Sequence, residues 1–155
     1  NTENIDAKIA VVLVAWIVAW LIIAMLYRMS VAGGPLKDGR VLAVVIAIIV
    51  FATAWVVVPS VRQGGSNRTM AIAVGGGLGM VMFMNVWMII WPLQKKIIAA
   101  TRATAESGAA APADMPKWAR RAFLASRTNA WLSIPMLFFM GAASHFPIFG
   151  TAVAP

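Results

Sequence analysis

The chain has 155 residues, 61% of them apolar and 12% charged, and its 13 Lys and Arg against 5 Asp and Glu give a formal net charge of +8. A water-soluble domain of this length needs far more polar surface, so lipid is the expected main solvent. The absence of Cys excludes disulfides, the single His leaves no usual ligand set for a zinc site or iron–sulfur cluster, and nucleic acid is excluded as a partner because the basic residues sit between apolar blocks.

A transmembrane helix needs about 20 mostly apolar residues to cross roughly 30 Å of hydrocarbon. Four charge-free runs meet that need, roughly Ile9–Tyr27, Val41–Pro59, Met70–Trp91 and Ala130–Gly150. They lack the alternation of barrel strands, which predicts an all-α integral membrane four-helix bundle filling the chain as a single transmembrane domain. Lys8, Arg62 and Arg68 fall on one side of such a bundle. Arg28, Lys37, Arg40, Lys95, Lys96, Arg102, Lys117, Arg120, Arg121 and Arg127 fall on the other. The positive-inside rule then puts the first and third connections in the cytoplasm and both termini outside. The chain begins with Asn1, which is compatible with a removed signal segment.

In the first run, Trp16 and Trp20 lie one turn apart, a spacing that suits packing or interface anchoring, with a cofactor slot as the minor reading. The connection from Met29 to Arg40 is punctuated by Gly and Pro and is expected to be a compact turn. The second run is almost purely aliphatic and β-branched, which assigns it to packing and lipid contact. In the third, Gly75 and Gly79 form a small-xxx-small pair suited to close helix approach, and Met80, Met84 and Met88 repeat along the line of Gly76. Thioethers can hold Cu(I), but packing is the favoured reading of these methionines, because no Cys or nearby His joins them. Asn85 needs a hydrogen-bond partner on a neighbouring helix, since an unpaired amide in hydrocarbon is costly. Trp87 and Trp91 fit an aromatic belt, and Pro92 is expected to bend or end the helix.

The connection 92–129 reads as a basic helical stretch suited to the headgroups, a hinge at GAAAPADMP, and a second basic amphipathic helix with Trp118, Phe123 and Leu124. Gln94, Lys95, Lys96, Arg120 and Arg121 are the candidates for headgroup or partner contact. The fourth run holds Ser133, Pro135 and His145. His145, close to the interface, is read first as an imidazole satisfied by water or a backbone carbonyl; it is also the one plausible ligand, and haem b is the leading functional alternative, with a second axial His from another subunit. No catalytic set and no metal cluster are predicted.

Two stretches, FMNVWMIIWPLQKKIIAA at 83–100 and SRTNAWLSIPMLFFMGAASHFP at 126–147, together resemble signature segments of the membrane domain of the bacterial urate oxidase (urate hydroxylase) family. Asn85, Pro92, Gln94, Lys95, Pro135, His145 and Pro147 keep the pattern. The chain resembles the C-terminal half of that membrane domain and contains no Cys-x-x-Cys-His haem attachment motif of a cytochrome c domain. The family tends to show His-Asn-x-Tyr before the Leu-Pro segment; here Arg127-Thr128-Asn129-Ala130-Trp131 stands in its place. The resemblance implies a bacterial inner membrane location, with the external termini periplasmic. The expected role is a small noncatalytic subunit of a redox or respiratory membrane complex, active in assembly, lipid sealing or docking of an electron carrier. Its partners would be the lipid bilayer, other membrane subunits and a soluble cytochrome c. A haem b electron-transfer protein using His145 is the alternative, and a urate-oxidising enzyme is a third reading.

Overall fold

The structure, a computed structural model, describes residues 2–150, with side chains from Ile5 onward. The chain ends, to which the expectation of external termini refers, lie outside the described residues. Helix α1 spans Thr2–Ala32, α2 Gly39–Arg62, α3 Asn67–Asn85, α4 Trp91–Ser107 and α5 Met115–His145. A 3-10 turn at Pro35–Lys37 joins α1 to α2, and a π-helical turn at Val86–Ile90 carries α3 into α4 without a break. The described residues therefore form four continuous helical rods and no strand.

Three of these rods are long and apolar enough to cross a membrane: Ile5–Ala32, Gly39–Arg62 and the 41-residue run Asn67–Ser107. At about 1.5 Å per residue the last is roughly twice as long as a hydrocarbon layer is thick, so only its first half is needed for a crossing. The fourth rod differs from the predicted run Ala130–Gly150 at both ends. It starts 15 residues earlier, at Met115, and stops at His145, where Phe146 turns extended. Its polar Thr128, Asn129, Ser133 and His145 keep it out of the strongly apolar class.

Helix starts and stops follow local chemistry. Asp38 caps α2 by accepting the Arg40 amide at 2.8 Å, and Ser66 caps α3 by accepting that of Thr69 at 3.2 Å. Gly108, at φ 69°, closes α4 in the left-handed conformation, and its amide reaches the Thr104 carbonyl at 3.0 Å. Of the two outcomes expected of Pro92, a bend or an end, the end does not occur. Proline lacks the amide that the carbonyl four residues back requires. Here the preceding turn widens, so that Trp91 donates five residues back to Val86, and the helix continues past the proline. The second basic stretch is likewise not a separate element, since it forms the first half of α5.

The hub is α3, which packs against α1, α2 and α5. It is buried over more than half of its circumference, at Met70, Ala71, Ala73, Val74, Gly75, Gly77, Leu78, Val81 and Asn85, and exposes one face at Ile72, Gly76 and Phe83. From α1 a seam of Trp16, Ala19, Ile23, Leu26, Tyr27 and Ser30 closes on the hub, at the three-and-four spacing of one helix face. The opposite faces expose large apolar side chains, among them Ile17, Leu21, Ile48, Phe51, Trp55 and Leu137. Such a belt belongs against hydrocarbon and is far beyond what a soluble monomer shows.

Candidate functional site

The interior holds few polar groups, and most of them meet at one place. Asn85 is fully buried on α3. Its Oδ1 accepts from Trp20 Nε1 at 3.2 Å, and its Nδ2 donates to Asn129 Oδ1 at 2.8 Å and to Tyr27 Oη at 3.4 Å. Asn129 passes the chain on, its Nδ2 donating to the Met82 carbonyl at 3.0 Å, in the turn just before the helix widens. Asn85 thus uses its acceptor and both of its donors on α1 and α5, which ties three helices at one level. The sequence singled out Asn85, and Trp20 as one of a packing pair with Trp16, but not Tyr27 or Asn129 as its partners. The Asn129 amide was the available signal, because a second Asn in an apolar run carries the same need for a partner.

Half the bundle away, Trp16 Nε1 donates to the Ala73 carbonyl at 3.0 Å. Its indole lies over Gly77 so closely that any Cβ there would overlap the ring. Gly75 faces α5, where an added Cβ would lie 3.0 Å from Phe139 Cβ and 3.1 Å from Met140 Sδ. Gly79 has no neighbour within 4 Å of that position, so the glycines at the contacts are Gly75 and Gly77 rather than the predicted pair Gly75 and Gly79. At the far end of α3, Asn67 holds the end of α5 and the segment after it. Its Oδ1 accepts the amides of Ile148 and Phe149 at 2.9 and 3.0 Å, and its Nδ2 donates to the Ala142 and Phe146 carbonyls at 3.3 and 3.4 Å. This side chain from another helix satisfies a carbonyl in the last turn of α5.

His145 is exposed at the end of α5 and lines neither of the two large grooves described below. A haem needs a slot around its axial imidazole, and among the described residues neither groove supplies one at His145. No cluster of three or more His, Cys, Asp or Glu forms among the described residues. Met88, at the end of the methionine line, is 62% exposed, which places it on the outer surface and not in a ligand pocket.

The basic candidates collect at the other end. Gln94, Lys95 and Lys96 are exposed on α4, Lys95 Nζ sitting 6.0 Å from the Trp91 ring and Lys96 Nζ 5.9 Å from that of Trp118 on α5. The rings of Phe83, Trp87 and Trp91 follow one another at 6.2 and 6.4 Å up to that ammonium, an apolar ladder ending in charge. Arg120 Nη2 donates to the Lys37 carbonyl at 2.6 Å and fastens α5 to the first connection. Burial, with Arg28 nearby, holds the Arg121 guanidinium below its ordinary value.

Because α2 and α5 both lean on α3 yet scarcely touch each other, a groove of about 1010 Å³ runs between them. Its walls include Val50, Phe51 and Trp55 on α2 and Trp131 and Pro135 on α5, with Val74 and Leu78 of α3 as floor. A second space of about 630 Å³, bordered by Arg40, Arg120 and Arg127, adjoins it through the shared Ala43, Ile46, Thr128 and Trp131.

Among known proteins, no curated protein and no solved structure matches the chain. A family model does, and it is described as urate oxidase N-terminal and aligned over residues 2–154. With almost the whole length covered, the chain belongs to the urate oxidase N-terminal family.

Proposed function

We propose that this family member is an integral membrane subunit of a bacterial redox membrane complex, crossing the inner membrane four times with both termini periplasmic. Its work is structural, namely assembly, lipid sealing or docking of an electron carrier. The observation that carries this reading is the closed Asn85 cluster. The strongest polar groups of the interior are spent on one another, through Trp20, Tyr27, Asn85 and Asn129, and among the described residues the Ser30 hydroxyl is left buried without a partner and without an acid or base beside it in that cluster.

The fourth crossing is supported by the company α5 keeps. It is bonded to one end of α3 through Asn129 and Asn85 and to the other through Asn67, so it runs antiparallel beside a helix that is itself apolar enough to span. Its own low hydropathy is offset by that partner, which takes up its amide group and covers Leu132, Ala142 and Ala143. The orientation rests on the ten cations gathered at the end formed by the first connection, α4 and the start of α5, against Lys8, Arg62 and Arg68 opposite.

Purification from the native membrane in mild detergent tests the role. Other membrane subunits should accompany the chain in fixed ratio; a stable, homogeneous monomer with nothing attached contradicts the proposal.

A further inference from the structure

We infer that the groove between α2 and α5 is a binding site for one anionic phospholipid, its acyl chains in the apolar length and its phosphate among Arg40, Arg120 and Arg127. The inference rests on the membrane reading given above and adds to it a defined site with a defined ligand chemistry.

The long part of the groove is walled by aliphatic and aromatic side chains, with no acidic residue on its lining. The chemistry changes at its two ends, where a lone Arg62 stands at the C-terminal end of α2 and Arg40, Arg120 and Arg127 border the opposite end. The one carboxylate there, Asp38, already accepts the Arg40 amide as a helix cap. Among the described residues the ion pairs are Arg102–Glu106 and Lys117–Asp114, so none of the three arginines is neutralised by a side chain. The Nε of Arg120 is buried without a hydrogen-bond partner, a donor left over next to this opening. An apolar trough with one guanidinium at one end and three uncompensated guanidinium groups gathered at the other matches an amphiphile with hydrocarbon chains whose single anionic head sits among the three. A transmembrane helix from a partner would fill the trough and leave these charges unanswered. Basic pockets between membrane helices hold anionic headgroups through the same combination, at about a fivefold gain in affinity per Lys or Arg.

The test is native mass spectrometry of the full chain, purified in detergent, delipidated, and titrated with phosphatidylglycerol or phosphatidylcholine of identical acyl chains. One phosphatidylglycerol per chain should be retained at concentrations where phosphatidylcholine is lost. Arg127→Gln, at an exposed position that does not endanger folding, should weaken that preference about fivefold, and Arg40→Gln with Arg127→Gln further, while Arg68→Gln, exposed at the opposite end and outside both grooves, leaves it unchanged. Brominated phosphatidylglycerol should quench the wild-type fluorescence more than that of Trp131→Phe. Equal retention of both lipids, an unaltered preference in the arginine variants, or a second copy of the chain that excludes lipid from the groove would each overturn the inference. A chain that stays in solution without detergent would instead remove the membrane reading beneath it.

Discussion

Asn85 shows how a single side chain organises a helix interior in lipid. An unpaired amide has no water to turn to, so its need for partners selects the register of three helices. Asn85→Ala strands Asn129, Tyr27 and Trp20 together, and the expected loss is about 1–2 kcal/mol in unfolding from mixed micelles. A change under about 0.3 kcal/mol would mean that the cluster holds nothing together. The glycines give a sharper contrast. Gly77→Ala drives a methyl group into the Trp16 indole and should destabilise by about 1–3 kcal/mol, whereas Gly79→Ala meets open space and should be neutral or slightly stabilising in the same titration. The need at Asn85 was readable from the sequence because it is intrinsic to the residue. The choice of Gly77 over Gly79 was not, since it depends on how far α3 is rotated toward α1, and a run that is apolar on every side carries no periodicity to reveal that rotation.

At the scale of the element, the helices themselves were legible and their junctions were not. Apolar runs located α1, α2 and α3, and Asp38, Ser66 and Gly108 are ordinary cap and stop residues. Pro92 read as a bend or an end because proline removes an amide, but one π-helical turn absorbs that loss and lets a single rod run from Asn67 to Ser107. The end of α5 was also hidden, because its terminus is set from outside by Asn67, 78 positions before His145 in sequence. Asn67→Ala removes the acceptor of two amides, and the amides of Ile148 and Phe149 should exchange with solvent about tenfold faster while those of α1 hold their protection. Unchanged exchange at both positions would show that the aromatic contact of Phe149 with Phe139 suffices to hold this segment.

For the molecule as a whole, the composition dictated the solvent, and the solvent dictated the rest. Helices sheathed in exposed aliphatic and aromatic side chains gather around α3, most of the few interior polar groups bind one another, and the cations are pushed to the ends. The membrane frame and the collection of charge at one end were visible in the sequence, because both are sums over residue types. The groove between α2 and α5 was not, since it arises from two helices that lean on a third without meeting. The central claim is that α5 crosses the membrane beside α3, bringing the whole bundle to four spans. The absence of Cys makes it directly measurable by adding single thiols at the exposed positions Gln63→Cys, Ala110→Cys and Ser144→Cys, and treating intact cells with an impermeant maleimide. The thiols at 63 and 144 should react in intact cells and the one at 110 only after permeabilisation; reaction of 63 and 144 from opposite sides would contradict the account.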